Sequence, residues 1–117
     1  MLAPLSAPQA FAVRRDDAGR VPVLLVTGVL DGDTAPQLSA AVCGFGAEKV
    51  VVDLHAVEIV APVGLRDLLL AARVCAVALH VVCPFACRAR AIVDATAAPL
   101  CVHESRAEAL AALTPRR

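Results

Sequence analysis

The groups in this 117-residue chain that could do chemistry are five cysteines, three histidines and a scatter of carboxylates. Cys83-Pro-Phe-Ala-Cys87 sets two thiols around a proline turn, and the pattern beyond it predicts a helix over 85–96 with Cys87 in its first turn. There the helix dipole, Arg88 and Arg90 favour a thiolate, which makes Cys83 and Cys87 the candidate redox pair. A bond between them requires their Cα atoms to come within about 7 Å. Cys75, Cys83 and Cys101 otherwise lie in apolar stretches, where free cysteine serves as a small core residue. The odd count argues against a disulfide framework. His80, Cys83, Cys87, Cys101 and His103 are zinc-type ligands, but no CxxC pair is present and strand alternation sends His80 and Cys83 to opposite faces. No metal site is expected. Asp53, His55 and a cysteine have the residue types of a nucleophilic triad. With no glycine-rich phosphate loop and no paired-carboxylate motif beside them, neither catalytic residues nor a cofactor are expected, and the chain does not read as an enzyme.

These groups hang on a pattern that alternates between strand and helix. A short strand over 11–14 turns through 16–19 into a β-branched strand over 23–29. Asp31-Gly-Asp-Thr-Ala-Pro has the turn and capping residues that open a helix over about 34–43. A strand over 49–54 leads through a short loop to a helix over 62–75, whose Pro62 at the first position loses no hydrogen bond. A strand over 78–83, the helix over 85–96, a last strand over 99–102 and a helix over about 105–113 complete the order. Near-continuous apolar strands separated by helices imply an α/β fold with a largely parallel sheet covered by helices.

The second helix raises the question of a partner. Leu65, Leu68, Leu69 and Ala72 fall at the spacing of a buried face. Val63, Leu70 and Val74 lie opposite, interleaved with Arg66, Asp67 and Arg73. Apolar residues rimmed by charge are the signature of a protein contact; packing of Leu70 and Val74 against neighbouring helices is the alternative.

Several phrases in this order resemble the STAS domains, the bacterial anti-sigma factor antagonists. They are Gly28-Val-Leu-Asp-Gly-Asp-Thr-Ala-Pro-Gln-Leu38, the strand Val50 to Leu54, Ile92-Val-Asp-Ala-Thr96 and Ala107-Glu-Ala-Leu-Ala-Ala-Leu113. The switch loop, which in the family reads Asp-Ser-Ser/Thr-Gly-Leu, falls on Ala61-Pro62-Val63-Gly64-Leu65. The resemblance implies a SpoIIAA-like fold, with a mixed, mostly parallel sheet of four to five strands and about four helices. It further implies that Asp31, Ala61, Pro62, Val63, Gly64, Arg66, Leu70 and Val74 meet an anti-sigma factor of the GHKL kinase type. In the family a kinase phosphorylates the serine of this loop, and the added charge ejects the partner. That position falls on Pro62, flanked by Ala61 and Val63, so the frame is present and the hydroxyl is missing. The implied function is an anti-sigma factor antagonist that is constitutive or switched by another signal; the alternative is a STAS-type subunit of a transporter-associated or stressosome-like assembly.

Composition bounds the rest. A chain of this length with 59% hydrophobic residues reads as one domain over 1–117, irregular over 1–10 and with a tail over 114–117. Zero formal net charge and 3% aromatic content give neither a basic stripe nor stacking platforms, so nucleic acid is not an expected partner. The start of the chain lacks a charged n-region and a continuous apolar h-region, which points to a cytoplasmic address. The apolar window over 68–87 contains Arg73, His80 and Pro84, so membrane insertion is not expected either. A protein is the expected partner, with a second copy of this chain also open.

Overall fold

The computed structural model describes residues 10–16, 21–96 and 101–113. The expected tail, nearly all of the irregular start, and parts of the expected first turn (17–19) and last strand (99–100) lie outside them. In chain order the elements are β1 (Ala12–Arg15), β2 (Val23–Leu30), α1 (Ala35–Gly44), β3 (Lys49–Asp53), β4 (Val57–Val60), α2 (Pro62–Val74), β5 (Ala78–Val82), α3 (Ala89–Ala95), β6 (Cys101–His103) and α4 (Arg106–Leu113). The sheet runs β1-β2-β3-β5-β6, with β4 pairing only β2. β1 is antiparallel to β2, and every other pairing is parallel. The α/β, mostly parallel expectation holds, with six strands among the described residues in place of four to five. The added strand is β4, four residues long, in the stretch expected to be a short loop. It exists because β2 changes partner along its length. Val23 to Leu25 pair with β3, and Gly28 to Leu30 pair with β4. The change occurs at a register shift after Gly28, whose φ of 87° is a left-handed conformation that favours glycine.

Alternation along the strands assigns the helices to faces. Leu24, Val26, Val50, Val52, Leu79 and Val81 pack with residues of α1, α2 and α3 in one buried cluster. Val23, Val51 and Val82 point the other way and pack on Ala109 of α4. The three consecutive valines of β3 therefore serve both faces, as expected of a central parallel strand.

Asp53 ends β3 on the α4 face and is the only buried charged residue among those described. Its Oδ2 accepts from Arg106 Nε of α4 at 2.7 Å, and its Oδ1 lies 3.0 Å from the His55 N–H and 2.7 Å from His55 Nδ1. Arg106 also bonds through Nη1 to Asp16 beyond β1. This guanidinium holds the Asp16 carboxyl below the usual range and is itself raised by the two carboxylates.

Two expectations about the cysteines and α3 are corrected. Cys43, in the last turn of α1, and Cys75, the C-cap of α2, form a disulfide with Cα atoms 5.9 Å apart. An odd cysteine count rules out complete pairing only, and the side-by-side packing of α1 and α2 decides which two meet. Closing a 32-residue separation restricts the unfolded chain by about 3 to 4 kcal/mol on the chain-entropy account. The helix expected over 85–96 is α3, Ala89–Ala95. Residues before it form a turn because other groups take their backbone: Cys87 N–H donates to Pro84 O, Phe85 N–H donates to the Glu104 carboxylate, and Cys83 O accepts from Arg90 Nη1 at 2.7 Å.

Removing the Arg106 guanidinium leaves a carboxylate buried without its cation, a loss that in protein interiors costs roughly 3 kcal/mol or more. Arg106→Ala should lower the unfolding free energy in urea by about 3 kcal/mol at neutral pH. Adding Asp53→Asn should recover part of that loss; a single-mutant loss below about 0.5 kcal/mol would show that Asp53 is not held by this pair.

Candidate functional site

Two loops meet at the carboxyl ends of β2 and β4. Because Leu30 and Val60 are register partners, Asp31 and Ala61 leave the sheet side by side, and the Ala61 N–H donates to Leu30 O at 2.8 Å. Asp31 organises its own turn: Oδ1 accepts the N–H groups of Asp33 and Thr34 at 2.9 and 3.1 Å. Thr34 Oγ1 accepts the Asp31 N–H at 2.9 Å and donates its one proton to Val29 O at 2.8 Å. These bonds lead into α1, whose Ala35 N–H donates to Asp31 O. The expected side-chain cap is not made: Thr34 is the N-cap of α1 without a side-chain bond to the helix, and the Asp31 carboxylate instead folds the turn that precedes it.

The second loop opens α2 with Ala61 as its extended N-cap and Pro62 at the first helical position. Ala61 O accepts from both Gly64 and Leu65, while Ala61 itself offers no side-chain oxygen to cap the helix. Gly64 is buried against the backbone of Asp31: a Cβ there would stand 2.8 to 2.9 Å from Asp31 Cα, C and N. The glycine is required by closeness, since its φ is not positive. Val63 lies over Gly32, where a Cβ would meet Val63 Cγ1 at an ordinary 3.6 Å. Asp31, Ala61, Pro62 and Val63 are therefore one surface built from two loops, with Gly64 buried beneath it where the loops touch.

Down α2 the faces separate as the spacing predicts. Leu65, Leu68 and Ala72 are buried, and Leu69 is partly buried against the same core. Arg66 is exposed, and Val63, Leu70 and Val74 are 50%, 61% and 78% exposed, so neighbouring helices do not cover Leu70 and Val74. Ile59 on β4, 54% exposed, adds an apolar residue from the stretch expected to be a loop. Beside this face a groove of about 1110 Å³ is lined by Arg66, Leu69, Leu70, Arg73, Leu79 and Ile92.

The reactive groups lie elsewhere. Cys87 sits in the turn before α3, outside its first turn, with its Sγ 3.5 Å from the His55 carbonyl oxygen. Arg90 is engaged with Asp94 and Cys83 O and stacks 3.9 Å from the Phe85 ring centre. Cys83 is buried, its thiol pushed up to about 11 by burial and then by Cys87, which disfavours the thiolate. Both are free thiols in the structure. Asp53 and His55 do come together, and Cys87 meets the backbone of His55, but both Asp53 oxygens are already engaged. His80 faces the α4 side and Cys83 the opposite side, as alternation requires. His80 meets His103 across β5 and β6, with Nδ1 and Nε2 3.0 Å apart and the rings stacked. Among the described residues no three potential metal ligands gather, and no helix is long and apolar enough to cross a membrane.

Two predictions follow from this geometry. Gly64→Ala forces backbone apart where two loops touch and should cost about 2 kcal/mol of stability by urea denaturation; a neutral effect would show that the loops can separate freely. The second concerns His80, whose pKa is lowered from 6.5 first by burial, then by the positive charges of His103 and Lys49. The unfolded chain then binds the proton more readily, so stability present above 6.5 is lost as pH falls through the lower native value. His80→Gln should flatten the acid limb of a plot of thermal midpoint against pH, and an unchanged limb would remove His80 as its source.

No protein-family model matches the chain. No curated protein sequence matches it. Among solved structures it is similar to an anti-sigma factor antagonist from Mycobacterium paratuberculosis, at 28% identity over 92% of this chain and 97% of that one, with a TM-score of 0.74. It also matches the anti-sigma factor antagonist SpoIIAA in its unphosphorylated form, at 13% identity over 87% of this chain and 96% of that one, with a TM-score of 0.60. A Shewanella loihica protein described as having a SpoIIAA-like fold matches at 13% identity over 96% of this chain and all of that one, with a TM-score of 0.54. The last two likenesses concern the fold alone. With its β2–β4 split, its helices on both faces of a mostly parallel sheet and the Asp31 and Gly64 loops at the sheet's end, the chain has a SpoIIAA-like fold and resembles the anti-sigma factor antagonists of the STAS type.

Proposed function

We propose that this chain is an anti-sigma factor antagonist that binds an anti-sigma factor of the GHKL kinase type, frees a sigma factor and so regulates transcription. The observation that carries this is the exposed apolar line of Val63, Leu70 and Val74, flanked by Arg66 and set beside the Asp31 and Ala61–Gly64 loops, on a fold shared with anti-sigma factor antagonists. Leu70 at 61% and Val74 at 78% exposure are apolar surface that association would remove from water. The work is binding; no catalytic step is assigned to the chain, and its proposed place is the cytoplasm, where sigma factors act.

The switch differs from the one the family resemblance implies. Residues 61 to 64 are Ala, Pro, Val and Gly, which carry no hydroxyl. The hydroxyl of Thr34, in the facing loop, is bonded to Val29 O and the Asp31 N–H. Pro62 keeps the helical φ at the position of the missing serine, so the docking surface persists without its phosphate control. In this reading Pro62 is a degenerate phosphoacceptor position and partner binding does not answer to phosphorylation there.

Leu70→Glu tests the face. It should weaken binding to a cognate anti-sigma factor at least tenfold, about 1.4 kcal/mol, in a titration calorimeter, while shifting the thermal midpoint by less than about 2 °C. Unchanged affinity would remove α2 from the interface. Recovery of a transporter or a stressosome-like assembly in place of an anti-sigma factor, with the same loss on Leu70→Glu, would reassign the docking face to a structural subunit.

A further inference from the structure

The end of α2 combines a covalent tie with a strained cap. Cys75 closes the helix and donates its N–H to Ala71 O; Ala76 N–H donates to Arg73 O and Val77 N–H to Ala72 O. This is the paired pattern of a Schellman cap, in which the residue after the cap takes a left-handed conformation and is usually glycine. Here it is Ala76, with φ of 57°, the only non-glycine residue of positive φ among those described. An L side chain there clashes with the following carbonyl, so the cap is held against an intrinsic preference to unwind. Immediately before Ala76, Cys75 is bonded to Cys43 at the end of α1. Cys75 is exposed and Cys43 partly so, which leaves the bond open to small thiols and disulfides.

We propose that Cys43 and Cys75 are a reversible thiol–disulfide pair whose oxidation clamps the last turn of α2, and with it Arg73 and Val74, onto the end of α1. The oxidant is a low-molecular-weight disulfide of the glutathione class. The Cys75 thiolate attacks one sulfur of glutathione disulfide and a glutathione thiolate leaves. The Cys43 thiolate then attacks Sγ of Cys75 in the mixed disulfide and expels the second glutathione. Two protein thiols become one disulfide, one glutathione disulfide becomes two glutathione thiols, and the two thiol protons end on those. Reduction by excess glutathione runs the same steps backward. Without the bond, the left-handed Ala76 loses its nearest restraint and the cap frays, which moves the most exposed apolar residue of the proposed docking face, Val74. The effect on docking rests on the function proposed above; the clamp itself does not.

The experiment uses the full chain equilibrated with glutathione disulfide or with dithiothreitol. Iodoacetamide treatment and peptide mapping without reductant should find Cys43 and Cys75 joined to each other after oxidation and both alkylated after reduction, while the exposed Cys101 carries either the alkyl group or a single glutathione after oxidation. Amide hydrogen exchange at Cys75, Ala76 and Val77 should be at least about tenfold slower in the oxidised protein. Cys43→Ser should give the fast pattern in both buffers, and Ala76→Gly, which relieves the strained conformation, should narrow the difference to less than about threefold. Free Cys43 and Cys75 after oxidation, or equal exchange in the two states of the unmutated chain, overturns the proposal. With an anti-sigma factor present, the oxidised and reduced forms should differ at least about fivefold in Kd, about 1 kcal/mol. Equal affinity overturns redox control of docking, whereas a partner that binds neither form counts against the docking function alone and leaves the exchange data to decide the clamp.

Discussion

A buried carboxylate at the end of the central strand sets the terms for much of this fold. Asp53 follows three valines whose side chains must be covered on both faces of the sheet, so it enters the interior by alternation and needs a cation there. α4 brings Arg106, and the same guanidinium reaches Asp16 at the end of β1. One charged group therefore ties the middle of the sheet, its antiparallel edge and α4, which packs on the second face. His55 completes the set by placing its backbone N–H and ring nitrogen on the other oxygen, which shapes the turn from β3 into β4. Burial of this charge is tolerable because the geometry supplies the Arg106 Nε–H, the His55 N–H and the His55 ring nitrogen at once.

The candidate docking site depends on a different economy, that of close approach. β2 gives up β3 and takes β4 at Gly28, and this split brings the loops after β2 and β4 into contact. Contact is possible because Gly64 presents no Cβ to the Asp31 backbone. Asp31, with its carboxylate folded back on Asp33 and Thr34, provides a rigid floor on which the start of α2 rests. The outer face of α2 is thereby held in a defined position while its apolar side chains remain uncovered. A serine in place of Pro62 would stand at the helix N-terminus, where an added phosphate is electrostatically welcome. Proline there retains the helix start and removes the reaction.

The thiols divide by environment rather than by spacing. Cys83 is buried beneath α3 and its thiol resists ionisation, whereas Cys43 and Cys75 stand at the ends of two adjacent helices. Proximity along the chain pointed to 83 and 87, and proximity in space joined 43 and 75. The shift matters for control, because the bonded pair adjoins the exposed end of α2 and the free pair lies under the α3 side of the molecule.

Much of this protein was legible from its residues. The order of the expected strands and helices, the buried stripe of Leu65, Leu68 and Ala72 and the absence of a hydroxyl at 61–64 follow from periodicity and residue chemistry, which are local, whereas the exposure of Leu70 and Val74 was left open by periodicity and decided by the packing. The family resemblance rested on the order of short phrases and matched the fold. The tertiary structure decided what local pattern could not. β4 is too short to announce itself and exists through its pairing with Gly28 to Leu30. The turn before α3 replaces a helical one because Glu104 and Arg90 take the backbone groups of Phe85 and Cys83. The partners of Asp53 and of Cys43 lie 53 and 32 residues away. Hydrogen bonds, ion pairs and disulfides between distant segments depend on where packing brings the chain back on itself, and that return is written in no single window of sequence.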